Sequence, residues 1–338
     1  MKTELKLKVI AASIIAMIFL FPLDSSCQKS KNSSAKPKLI FQSGFEESSK
    51  VIPVIRGKYS ISHDDDIIGV DKTLKGNNDW IKDLDNDPDG GEFSIQYTGG
   101  DSTKRYAKII PEPGNPSNKV LYYWLDDSWL ADLNTVKARI QTNLYGIKKG
   151  YKEFYQSERV FLHDDFNSLK SYPRKIGWLT ISEFWNNRTW GDAPYAFRVT
   201  LGIGKPTEAT SDLYFILDGQ DYGDVNGKLN YTTLWHNTNE KVKVPIGKWF
   251  TMEYYYKEGN NETGRFYMAI KPEGQAKQVV FDVTAFTQNS KDPNPDGVTE
   301  YNPMKLYTSK EVVGFMKSQG KTLQIYWDDF KLWKNKRP

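Results

Sequence analysis

The sequence predicts an all-β protein, an antiparallel β-sandwich of two sheets. Aromatic residues make up 14% of the 338 residues, and apolar stretches are short and punctuated by Gly, Asn, Asp and Pro. From about residue 138 apolar and polar residues alternate with period two in one stretch after another. That alternation is the pattern of strands with one buried face.

The chain begins with a segment of a different kind. Lys2, Lys6 and Lys8 outweigh Glu4, and the thirteen residues Val9 to Phe21 contain Ser13 as their only polar member. Such a run suits the apolar core of a secretory signal and falls short of the roughly 20 residues that span a membrane. Leu23-Asp24-Ser25-Ser26-Cys27 follows, and Cys27 is the only cysteine. This stretch resembles the lipobox of bacterial lipoproteins, with Asp24 where that box usually has leucine. The resemblance implies cleavage before Cys27, a lipid on its thiol and anchorage to the cell envelope, with the outer membrane as the expected site. A sole cysteine also leaves the exported fold without internal disulfides.

The expected division is a signal peptide over 1–26, a lipidated flexible tether over 27–38 and one domain over 39–338. The charge divides the same way. Seven of 46 basic and two of 42 acidic residues lie within 1–38, so residues 39–338 carry 39 bases against 40 acids. The net charge of +4 therefore belongs to the leader and tether, and composition argues against a nucleic-acid partner, which needs a clustered basic surface on the fold.

Residues 46–118 are rich in Asp, Gly, Asn and Pro and read as a few strands with long loops. Ala138–Tyr145 then sets Ile140 and Leu144 against Arg139, Gln141 and Asn143, and Ser157–His163 sets Val160 and Leu162 against Arg159, Phe161 and His163. Trp178–Asn186 opposes Leu179 and Ile181 to Trp178, Thr180, Ser182, Phe184 and Asn186, while Tyr195–Ile203 opposes Tyr195, Phe197, Val199, Leu201 and Ile203 to Arg198 and Thr200. Further strands are expected at 213–217, 249–256, 264–270, 278–283 and 323–332, with one late helix over Ser309–Ser318, where Val312, Val313 and Met316 share a face.

Gly247–Lys257 followed by a turn and Arg265–Ile270 resembles the paired late strands of concanavalin A-like jelly rolls. Leu323–Trp333 is similar to their terminal strand, and Phe41–Glu46 to their first. The resemblance implies a jelly-roll β-sandwich, a superfamily that includes lectins, glycosidases, polysaccharide lyases and interaction modules, so it does not choose a function.

The polar faces named above collect Arg139, Gln141, Asn143, Arg159, His163, Trp178, Asn186 and Arg198. Placed on one sheet, they would join three guanidinium forks to amide, imidazole and indole groups, a surface suited to a carboxylate- or sulfate-bearing glycan. In jelly rolls this surface is the concave sheet; the alternative is a merely solvated face. Ile181–Trp190 is the densest candidate segment and resembles the central strand of heparin-lyase-like jelly rolls, with Trp185 at their tryptophan but Asn186 where their catalytic histidine stands. Asparagine cannot shuttle a proton. The aromatic lyase segment near the C-terminus is also absent, because Ile325-Tyr326-Trp327-Asp328-Asp329 occupies that region. The Glu-x-Asp-x-x-Glu spacing of laminarinase-like glycosidases does not occur either. Glu183 has the parity of core Leu179 and Ile181, so an acid or base role for it requires a bulge.

His63, His163 and His236 show no metal-ligand spacing, which argues against zinc. A structural calcium ion is the one candidate cofactor, held by Glu46 with Asp328 and Asp329 at neighbouring strand ends, as in many jelly rolls; no cofactor is otherwise required. Asp85–Gly90 and Asp292–Gly297 begin like calcium loops but have Gln96 and Pro303 where the twelfth-position glutamate belongs, and read as turns. The leading expectation is an anchored polysaccharide-binding protein using Arg139, Asn143, Arg159, Trp178, Trp185, Asn186 and Arg198 for an anionic or mixed glycan. Two alternatives stay open. One is a polysaccharide lyase or hydrolase with divergent groups, His163, Glu183 or a tyrosine handling protons and Arg159 neutralising charge; the other is a structural or protein-interaction module.

Overall fold

In the computed structural model the alternating stretches pair into two antiparallel sheets. The structure describes residues 35–54, 64–71, 79–80, 84, 87–98, 103–127, 137–186, 195–225 and 228–338. The export segment and Cys27 lie outside the described residues, as do His63, Asp85, Asn86 and residues 187–190 of the tryptophan-rich segment.

In chain order the strands are β1 (Lys38–Ser43), β2 (Lys50–Val54), β3 (Asp64–Ile68), β4 (Glu92–Thr98), β5 (Arg105–Glu112), β6 (Asn115–Leu125), β7 (Lys137–Tyr145), β8 (Glu153–Leu162) and β9 (Leu179–Trp185). They continue with β10 (Ala196–Gly204), β11 (Tyr214–Val225), β12 (Lys228–Asn239), β13 (Trp249–Lys257), β14 (Arg265–Pro272), β15 (Gln278–Thr284), β16 (Glu300–Ser309) and β17 (Leu323–Lys334). Helix α1 (Lys310–Ser318) is N-capped by Ser309, whose hydroxyl accepts from the Val312 amide, as capping chemistry requires.

One sheet has eight strands, β15-β14-β13-β8-β17-β6-β5 with β1 beside β17; the other has nine, in the order β12-β11-β10-β9-β16-β7-β4-β3-β2. Neighbouring strands in both are antiparallel, and the whole is a jelly-roll β-sandwich with its core between the sheets. Phe154 meets Tyr301 at 5.2 Å and Phe184 meets Phe266 at 5.2 Å, contacts that tie the two sheets together. A second aromatic group, Phe41, Trp80, Phe93 and Phe330, closes the other part of the core through edge-on contacts.

Two departures from the sequence expectation shape the outer face of the nine-stranded sheet. Strand β16 carries Pro303, which removes a ladder donor and ordinarily marks an edge or a bulge. Here the strand is internal, and its register shifts on both sides of the proline, between Tyr301 and Met304 against β7 and between Asn302 and Tyr307 against β9. The second departure is a bulge in β9. Leu201 pairs with Ser182, whereas Gly202 pairs with Thr180, leaving Ile181 as the extra residue. A β-carbon at Gly202 would stand 2.8 Å from the Leu179 carbonyl oxygen, so the close approach at the bulge needs glycine there. Beyond the bulge parity inverts: Ser182 and Phe184 turn to the core, and Glu183 and Trp185 turn outward.

A carboxyl group lies in the core between the sheets. Glu158 on β8 is fully buried between the sheets, where Gln156 Nε2 donates to it at 2.8 Å. Burial lifts its pKa well above the ordinary carboxylate range, against the opposing hydrogen bonds of Gln156 and Tyr254. The native state thus binds a proton that the unfolded chain has released, and stability falls as pH rises from the ordinary carboxylate value toward the raised one. Glu158→Gln is expected to remove that slope, making the variant more stable than the parent by about 1–3 kcal/mol above neutral pH and nearly equal at pH 4. Urea unfolding at the two pH values measures this; a variant less stable at both would contradict it.

Candidate functional site

Register places the outward side chains of the nine-stranded sheet in rows across the strands. Tyr307 on β16 lies opposite Arg139 on β7 and Thr180 on β9. Lys305 lies opposite Gln141, and Glu183 opposite Asn302 and Thr200. Trp185 is paired with Arg198 and with Glu300, and Arg198 with Gln220. The outer rows continue to Asp218 and His236 on β11 and β12.

Beneath the accessible groups lies a buried polar floor. Lys305 is 0% exposed and donates to Glu183 and, at 2.9 Å, to Asn302 Oδ1. Asn302 Nδ2 in turn donates to Asn143 Oδ1 at 2.8 Å. Glu183 also accepts from Arg198 Nη1 at 2.6 Å, while Arg198 Nε donates to Gln220 Oε1 at 2.7 Å. The Arg198 guanidinium lies 3.7 Å from the centroid of the Tyr231 ring, a cation–π contact that fixes its plane. Arg139 stands 5.7 Å and Lys305 5.0 Å from the Tyr307 centroid, and Trp178 meets the same ring edge-on at 4.6 Å.

These contacts set the charges. Burial alone would raise Glu183, but Lys305 and Arg198 overcome it and hold the carboxylate below its ordinary range. Burial pulls Lys305 down to about 8 despite Glu183, with Arg139 and Arg198 adding repulsion. Burial pushes Glu300 up to about 7, against the hydrogen bond of Asn143 and the charges of Lys305 and Arg139. Tyr307 is pushed up to about 12 by burial and so stays protonated at neutral pH.

The expected site residues separate. Arg139, Asn143, Trp178, Trp185 and Arg198 share the outer face of the nine-stranded sheet, and the β9 bulge adds Glu183 as the counter-ion of Lys305 and Arg198. Arg159 does not join them, which corrects the expectation of three arginines on one surface. It belongs to β8 in the other sheet and faces outward there. Its guanidinium binds Glu112 at 2.9 Å, Glu273 at 2.8 Å and Asp328 at 3.1 Å, and lies 3.8 Å from the Trp249 ring centroid. Three carboxylates already neutralise it. His163, at the end of the same strand, accepts from the Asp165 amide at 3.2 Å and caps a 3₁₀ helix over Asp164–Ser171. Asn186, just after β9, is bonded to the start of β10, accepting from Phe197 N at 2.7 Å and donating to Tyr195 O at 3.2 Å.

Glu46, Asp328 and Asp329 do lie near one another, joined by Asp71 around Gly44. Asp328 is spent elsewhere, however, accepting from Asn118, Arg159 and the Asp329 amide. Among the described residues no group of three or more His, Cys, Asp or Glu side chains is placed to hold a metal ion. In the Asp292–Gly297 stretch, Asp292 accepts from Asn294 N at 2.9 Å, a local turn.

Sequence reasoning missed Glu300, Asn302, Lys305 and Tyr307, which all lie on β16. The usable signal was the apolar set Tyr301, Met304 and Leu306, masked by Pro303 and by the change of parity across the bulge.

No family model matches the sequence, and no curated protein matches it. Solved structures do show similarity. The alginate lyase Aly36B is 17% identical over 70% of this chain and 86% of its own, with a TM-score of 0.40. An endo-β-1,4-glucuronan lyase from the fungus Trichoderma reesei is 14% identical over 70% and 89%, with a TM-score of 0.40. The exolytic PL7 alginate lyase AlyA5 from Zobellia galactanivorans is 10% identical over 71% and 90%, with a TM-score of 0.36. Similarity at this level carries no residue correspondence.

The floor makes a direct prediction. Removing the charge by Glu183→Gln leaves Lys305 buried without its anion, and a loss of about 3–5 kcal/mol is expected. Adding Lys305→Met should restore most of it, because the uncompensated cation is then gone. Denaturant unfolding of both single variants and the double variant measures the coupling; additive losses would contradict the pairing.

Proposed function

We propose that the outer face of the nine-stranded sheet binds an acidic polysaccharide, in a protein exported and tethered to the cell envelope through Cys27. The observation that carries this reading is the placement of Arg139 and Arg198, both partly exposed, over a floor in which, among the described residues, Lys305 and Arg198 share the carboxylate of Glu183. Guanidinium forks pair with carboxylate or sulfate oxygens, and aromatic rings accept the apolar face of a pyranose. Tyr231 and Trp178, 38% and 37% exposed, supply such rings beside the arginines.

A second reading, eliminative cleavage, is favoured by Tyr307, which has Arg139 as a neighbour able to neutralise a uronate carboxylate. A phenol held protonated at neutral pH suits donation to a leaving oxygen, not removal of a carbon-bound proton. Binding therefore stands first.

Affinity electrophoresis against acidic and neutral polysaccharides, with ultraviolet absorbance read for unsaturated products, tests both. Retardation by an acidic polymer is expected, with about a tenfold loss of affinity for Arg139→Ala or Arg198→Ala and weakening by salt. Affinity should also fall between pH 6 and 9, because Glu300 gains negative charge near 7 and Lys305 loses positive charge near 8. Binding to neutral polymers alone, or to none, would overturn the proposal, and an accumulating unsaturated product would favour cleavage.

A further inference from the structure

Trp178 stands where the polar face meets a cleft. The residue immediately precedes β9, with the outward parity of Thr180, and its ring touches Tyr307 edge-on at 4.6 Å. The same indole lines a cleft of about 570 Å³, within the roughly 300–1,000 Å³ common for small-molecule sites. Tyr172, Ile176 and Val312 are buried and form its apolar base. Arg174, Lys175, Glu208 and Glu311 are exposed around it, and Arg174 Nη2 donates to the Tyr172 hydroxyl at 2.9 Å.

The charges of the two regions differ. Among the described residues, Arg198 and Lys305 share one carboxylate, Glu183, and Arg139 lies across Tyr307 from Trp178. In the cleft two cations face two carboxylates, so a uronate placed there would gain no net attraction and would confront Glu208 and Glu311. A neutral pyranose has no such conflict: its apolar face suits the indole, and its hydroxyl groups suit both the charged donors and the charged acceptors. Trp178 and Arg139 flank the same Tyr307 ring, so neighbouring sugar units of one chain can meet both.

We propose that this cleft is a neutral-sugar subsite continuous with the acidic-sugar face, and that the ligand is a heteropolysaccharide in which uronate and neutral sugars are linked in one chain. The inference rests on the acidic-polysaccharide reading above and narrows its substrate class.

The test compares the full-length protein on uronate-only polymers (polygalacturonate and alginate) with its behaviour on polymers that include both uronate and neutral units (hyaluronan and gellan), affinities being measured by calorimetry. At least one mixed polymer should bind about tenfold more tightly than either uronate-only polymer. Trp178→Ala should erase that advantage, weakening mixed-polymer binding about tenfold more than uronate-only binding, whereas Arg139→Ala should weaken both classes alike. Glu208→Lys, an exposed change that turns the cleft cationic, should raise uronate-only binding severalfold. A parent protein that prefers uronate-only polymers, or a Trp178→Ala variant that affects both classes equally or neither, overturns the subsite while leaving the acidic-polysaccharide reading intact. No gain from Glu208→Lys also counts against it. Failure of the parent to bind any of the four polymers removes both.

Discussion

One buried carboxylate organises the outer face of the nine-stranded sheet. Glu183 accepts from Arg198 and from Lys305, a lysine with no solvent exposure whose charge needs a partner inside the protein. Its position depends on a single extra residue, Ile181, which inverts the parity of β9. Without that bulge Glu183 would have the core-facing parity, and Lys305 and Arg198 on the outer side would lose their shared anion. The chain of cause runs from a glycine that admits the bulge, through side-chain parity, to the charge pattern that orients Arg198 against Tyr231 and Gln220.

The contrast between Arg198 and Arg159 shows why the same residue type serves different ends. Arg159 is ringed by Glu112, Asp328 and Glu273 and stacked on Trp249, so its donors are committed to holding β5, β8 and β17 together. Buried Asp328, raised to about 6 by burial despite Asn118 and Arg159, belongs to this network. Among the described residues, Arg198 shares one carboxylate, Glu183, with Lys305. The ratio of carboxylates to cations, read locally, separates a structural tie from a surface fitted to an anion.

Local alternation was the legible part of the sequence. The faces of Ala138–Tyr145 and of residues 197–203 are as period two implies, Tyr254 and Tyr256 are core residues, and Tyr195, expected on the core face, is exposed just before β10. Sheet membership was not legible, because Arg159 and Arg198 both occupy polar positions of alternating strands and only distant pairing separates them: β8 joins β13 and β17, and β10 joins β9 and β11. Strand β16 was hidden for a different reason. Pro303 reads as a strand breaker, and the bulges that accommodate it scramble the alternation that would have revealed Lys305 and Tyr307. Asn186 illustrates a third limit, since an amide suited to a sugar hydroxyl binds the backbone equally well.

On the proposed reading, this sheet face holds the carboxylate of an acidic sugar. An experimental structure of the protein with a bound uronate-containing oligosaccharide tests it most directly. A sugar carboxylate is expected within hydrogen-bonding distance of Arg139 or Arg198, with a pyranose ring against Trp178 or Tyr231. An oligosaccharide seated instead on the eight-stranded sheet beside Arg159 and Trp249 would contradict it.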